Sequence, residues 1–117
     1  MLTCDFSLFS ETELPSVPIG PLRFTNITEN SVDCEWQPSE SDGGTPILHY
    51  VIEIRESRRQ NYNRAGTSPA SITKFTAKRL VVDNEYFFRV RAVNQEGESR
   101  PLDGAEPITP RAVQGNN

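Results

Sequence analysis

The chain has 117 residues, 35% of them hydrophobic and 24% charged, with nine prolines spread between apolar runs. That length holds one domain around one core, and the composition suits a turn-rich β domain better than a disordered segment. A formal net charge of -4 argues against a nucleic-acid backbone as the main partner, and no apolar stretch approaches the roughly 18 residues that a membrane span needs.

The first ten residues lack a basic leader region, and Asp5 interrupts their apolar character, so they make a poor signal peptide. Leu2, Cys4, Phe6 and Leu8 alternate with polar residues, as a stray strand would. The expectation is nonetheless a flexible tail over residues 1–14, a domain over 15–111 and a short tail over 112–117. Pro15, Pro18 and Gly20-Pro21 punctuate the lead-in to a first strand marked by Leu22, Phe24 and Ile27. Asn26-Ile27-Thr28, placed in that strand, is a formal N-glycosylation acceptor, read here as a chance triplet.

Val32, Cys34 and Trp36 share one face of a second strand, ended by Pro38. Cys34 reads as a small buried hydrophobe. Asp42-Gly43-Gly44 then supplies residues that tolerate positive φ, the chemistry of a turn. A third strand spans about residues 47–56, with Tyr50, Ile52 and Ile54 inward. Residues 57–71 are polar and hold a short edge strand near 62–66. Arg55, Arg58, Arg59 and Arg64, interleaved with Tyr62, read as a solvated edge whose charge discourages sheet-to-sheet pairing. Contact with an acidic protein surface stays open. A strand near 72–77 turns Phe75 and Ala77 inward, with Leu80 beyond its end. Tyr86 to Asn94 forms the sixth strand, Gln95-Glu96-Gly97-Glu98 its hairpin turn, and a last strand at about 103–111 is interrupted by Pro107 and so lies at a sheet edge.

The most specific pattern is Leu80, then Tyr86 six residues later, then Phe88, Val90 and Ala92 at every second position. It describes a strand entering from a tight corner, the tyrosine burying its ring while its hydroxyl reaches back to the preceding backbone. This is the tyrosine corner of immunoglobulin-like sandwiches. An antibody-type domain places a cysteine two residues after that tyrosine; Phe88 stands there, so no inter-sheet disulfide is available. Such a chain is compatible with a reducing compartment but does not require one.

Trp36, Tyr50-Val51-Ile52-Glu53, Leu80, Tyr86 and Arg91-Ala92-Val93-Asn94 together resemble a fibronectin type III domain. The resemblance covers about residues 16–111 and implies an all-β fold: an immunoglobulin-like, seven-stranded β-sandwich of two antiparallel sheets. Its core would be Trp36, Tyr50, Ile52, Leu80, Tyr86, Phe88 and Val90. Val17-Pro18-Ile19-Gly20-Pro21-Leu22, Trp36-Gln37-Pro38, Asp42-Gly43-Gly44-Thr45-Pro46-Ile47 and the run from Phe88 through Ser99 are similar to the type III modules of titin-like muscle proteins. One departure stands out: such modules often carry a tryptophan after the third strand, where this chain offers Tyr62.

No convergent set of catalytic groups is visible. The single histidine, His49, sits beside core Tyr50 and so faces outward, and Cys4, Cys34 and His49 have no zinc-ligand spacing. Neither an enzyme activity nor a cofactor or metal is expected. Alternation does turn Val51, Glu53 and Arg55 outward on the third strand, and Phe87, Arg89 and Arg91 outward on the sixth. Apolar groups rimmed by arginine suit a protein interface. The competing reading is ordinary cross-strand packing, with Glu53 paired to an arginine. The resemblance implies a non-enzymatic spacer and scaffold in the sarcomere, cytoplasmic and monomeric in isolation. Neighbouring immunoglobulin and fibronectin modules and filament proteins would be its partners, with no nucleic acid and no membrane insertion. The alternative is an extracellular module of an adhesion receptor, though the Arg-Gly-Asp turn of the best-known such module is absent. A third reading is an accessory module beside a muscle protein kinase.

Overall fold

The computed structural model describes residues 11–112; Cys4 and the alternating run from Leu2 to Leu8 lie outside them. Eight strand segments follow in order: β1 (Ile19–Thr25), β2 (Val32–Gln37), β3 (His49–Glu56), β4 (Asn63–Pro69), β5 (Lys74–Ala77), β6 (Tyr86–Asn94), β7 (Gly97–Glu98) and β8 (Leu102–Asp103). They form two antiparallel sheets, one ordered β1-β2-β5 and the other β4-β3-β6-β7, with β8 also on β6. Period-two side chains on each sheet meet between the layers.

Strand β6 shows that logic most clearly, alternating buried and half-buried residues over its whole length. Trp36, Tyr50, Ile52, Phe88 and Val90 are at most 2% exposed, with Tyr86 at the rim of the same core and Leu80 packed half-buried against it. Trp36 meets Tyr50 edge-to-face at 5.5 Å between ring centroids, and Phe24 meets Phe88 likewise at 5.1 Å. Such pairs add about 0.5–1.5 kcal/mol beyond their area. Burial, helped by the neighbouring Asp33 charge, pushes the Cys34 thiol up to about 12, so it packs as an inert small side chain. At the corner, the Tyr86 hydroxyl accepts the Val81 N–H at 2.8 Å.

Several boundaries differ from the expectation. The last strand is no single run over 103–111. It follows β6 in pieces: β7, then β8, then a bridge between Tyr86 and Ile108. Pro101 and Pro107 have no N–H to give a ladder, and the side chain of Ser99 fills one gap by accepting the Ala92 N–H at 2.9 Å. Seven tracks are thus built from eight segments. The edge strand β4 begins after Tyr62 and runs on to Pro69, tied to β5 by the Ser68 hydroxyl, which donates to the Lys74 carbonyl at 3.2 Å. Asn26 lies just past β1, in a turn with φ 47°, and its side chain donates to Asp33 at 2.9 Å. Hydrogen bonds from Asn26 and Thr76 hold the Asp33 carboxyl below its ordinary range. Within the expected tail, Glu13 is already fastened: its N–H donates to the Gly43 carbonyl at 2.8 Å. Gly43 and Gly44 take φ of 83° and 94°, as the turn reading required.

Candidate protein-interaction face

The outer face of the larger sheet is positioned by the β3–β6 register. Val51 opposes Arg91, Glu53 opposes Arg89 and Arg55 opposes Phe87. On its other side, β3 pairs with β4, with a register shift between Ile52 and Glu53 that brings Arg64 beside Glu53. The expected outward residues therefore do share one face.

They are not free, however. Glu53 accepts from the Nε of Arg89 at 2.6 Å and from the Nε of Arg91 at 3.1 Å through the same carboxylate oxygen. Burial raises the Glu53 carboxyl, but the hydrogen bonds and charges of Arg89 and Arg91 outweigh it and hold the group below its ordinary range. Arg91 reaches further, donating to the Ser99 carbonyl at 2.9 Å. The Arg89 guanidinium lies 3.8 Å from the Tyr62 ring centroid, and Arg55 stands between Tyr62 at 5.4 Å and Phe87 at 4.6 Å. Phe87, Arg55, Tyr62, Arg89, Glu53 and Arg91 thus form a continuous ladder of stacked rings, cations and one carboxylate. Tyr62, which stands where titin-like modules often carry a tryptophan, stacks against both Arg55 and Arg89. Each such cation–π contact contributes on the order of 1 kcal/mol.

Val51 corrects the expectation outright. It points to this outer face but is fully buried, at 0% exposure. It stands in register between Arg91 on β6 and Thr67 on β4, and long arginine stems cover apolar surface of this kind while their charged heads stay wet. Phe87, Arg55, Arg89 and Arg91 are half-buried, and with Val51 buried the face carries no exposed aliphatic patch at its centre. Cross-strand packing, the competing reading, describes how these side chains hold one another.

At the rim, Arg58, Arg59 and Arg64 are exposed. Arg64 pairs with Glu98 at 3.3 Å, and Arg58 and Arg59 each approach Glu56 at 3.9 Å. The face gathers six arginines against Glu53, Glu56 and Glu98 on a chain whose formal charge is -4. It is a basic surface on an acidic domain. The alternation of β3 and β6 foretold its centre, but the Glu98 contribution depends on how β7 returns beside β6, which no local spacing encodes. His49 lies half-buried at the start of β3. Among the described residues no group of three or more His, Cys, Asp or Glu side chains is arranged to hold a metal ion.

Comparison with known proteins agrees with this architecture. The fibronectin type III domain profile matches residues 17–106. The chain is 35% identical over 96 residues to titin of Drosophila melanogaster, covering 82% of this chain and, to the nearest per cent, 0% of that protein. It is 32% identical over 98 residues to the cardiac-type myosin-binding protein C of Homo sapiens, covering 84% of this chain and 8% of that protein. A crystal structure of domains from titin superposes with a TM-score of 0.78 at 29% identity, over 86% of this chain and 33% of that one. The chain therefore spans a small part of the length of the relatives it matches. It is a member of the fibronectin type III family, similar to the modules of titin-like muscle proteins.

Proposed function

We propose that the chain is a non-enzymatic module of a longer sarcomeric protein, cytoplasmic in location. It spaces neighbouring immunoglobulin and fibronectin modules and presents the ladder face of β3, β4 and β6 to acidic surfaces of filament proteins. The observation that supports this most is the basic character of that face on a domain of opposite net charge, in a chain whose relatives are muscle proteins by name. A pre-stacked guanidinium loses little rotamer freedom on binding, and arginine beside aromatic rings is the composition enriched in interface cores. Co-sedimentation with purified thick and thin filaments tests it. The expected result is binding that weakens as salt rises and that is reduced by Phe87→Ser in a variant shown to stay folded. Absence of filament binding, or binding indifferent to Phe87→Ser, would remove this reading of the face.

A further inference from the structure

We propose that the end of the sandwich where β6 finishes is a clamp for the incoming chain, with Asn94 as its positioning residue. The lead-in segment from residue 11 then leaves the sandwich in a fixed direction instead of as a loose tether. Asn94 is the last residue of β6 and is 2% exposed. Its side-chain nitrogen donates to the carbonyl oxygens of Glu13 at 2.6 Å and Asp42 at 2.8 Å. Its side-chain oxygen accepts the backbone N–H of Glu96 at 2.8 Å and of Gly97 at 3.2 Å. Both halves of the amide are committed, and only one orientation satisfies all four contacts.

One side chain thus joins the lead-in segment, the β2–β3 loop and the β6–β7 turn. Around it, Glu13 donates its N–H to the Gly43 carbonyl, and the Thr12 hydroxyl donates to the Glu96 carboxylate. Gly43 is needed twice over. Its φ is 83°, and a side chain there would overlap the carbonyl oxygen of Glu13. The loop has room for the strap only because it carries no Cβ.

Beside the clamp, Leu14 and Leu48 are 49% and 57% exposed, while the opposite end of the sandwich exposes Val81 and Val82 at 52% and 42%. Among the described residues, five of the six large exposed apolar side chains lie outside the strands, and the sixth, Ile19, is the first residue of β1. A preceding β-sandwich that presents its own equivalent of Val81 and Val82 would cover Leu14 and Leu48, a head-to-tail contact. Naming a sandwich as the occupant rests on the array reading above; the clamp itself does not.

The experiment uses the full chain carrying Cys4→Ser and paired spin labels at Glu11→Cys and Thr67→Cys, read by pulsed dipolar spectroscopy. The parent is expected to give one narrow distance distribution and a protected Glu13 amide. Asn94→Asp keeps the acceptor for Glu96 and Gly97 but sets an oxygen against two carbonyls, so it should widen the distribution at least about twofold and deprotect Glu13. Gly43→Ala should do the same from the other side of the strap, and it decides the matter if Asn94→Asp does not fold. A broad parent distribution, or unchanged widths in folded variants, overturns the clamp whatever the filament assay shows. Narrow parent and wide variants uphold it even if filament binding fails and the array reading falls.

Discussion

The two ends of β6 solve one problem by different means. At the start, Tyr86 uses its hydroxyl to accept the Val81 N–H, five residues back along the chain. At the finish, Asn94 uses both ends of an amide to hold Glu13 and Asp42, 81 and 52 residues away. The first staple closes a local corner. The second ties together segments that meet only once the sandwich has formed. A buried polar group is tolerated at either end because each has hydrogen-bond partners, one for the Tyr86 hydroxyl and four for the Asn94 amide, and the cost of removing it should scale with how many partners it strands.

The contrast can be broken by substitution. Tyr86→Ala removes a buried ring together with the corner bond and is expected to cost about 3–5 kcal/mol in denaturant unfolding, the range for deleting a large aromatic. Asn94→Ala removes the partner of two carbonyls and two amides at a part-buried site and should cost about 2 kcal/mol. Tyr86→Phe removes only the hydroxyl, beside a largely exposed Val81, and should cost about 1 kcal/mol. If Tyr86→Phe proved as costly as Asn94→Ala, the idea that the long-range staple carries more partners per side chain would fail.

The ladder face offers a smaller and pH-dependent effect. The folded-state carboxyl of Glu53 is held below its ordinary range, so its contribution is fully present above the unfolded value and fades as pH falls through the folded one. Glu53→Gln should therefore cost about 1 kcal/mol at neutral pH and flatten that part of the acid limb. A Glu53→Gln protein with the parent's acid profile would show that the two arginines do not depend on this carboxylate. Cys34 should show the slightest response of all. In the Cys4→Ser background its thiol is expected to resist a disulfide reagent until the domain unfolds, since burial pushes it up to about 12.

How much of this could be read in advance follows from sequence distance. The corner is legible because Leu80, Tyr86 and the alternation after it lie within a dozen residues. The ladder was half legible: alternation placed Phe87, Arg89 and Arg91 on the same side as Val51, Glu53 and Arg55, and pairing followed from the fold. Period two assigns a side chain to a face, however, and not to an exposure. Val51 is outward yet fully buried, in register between Arg91 and Thr67 on the neighbouring strands. The broken last track was marked by Pro107, but its division into β7, β8 and the Tyr86–Ile108 bridge depended on Ser99 standing in for a ladder partner.

Alternation, turn residues and the tyrosine spacing in the sequence alone determined an all-β chain, the core of Trp36, Tyr50, Ile52, Tyr86, Phe88 and Val90, and the Asp42-Gly43-Gly44 turn. Those signals work because the period of a strand and the φ of a glycine are local properties of the backbone. Tertiary structure decided the rest: the burial of Val51, the shared carboxylate of Glu53, and the fastening of Glu13 by Asn94. Each joins residues far apart in the chain, and an asparagine at a strand end looks the same in sequence whether its amide meets water or three other segments.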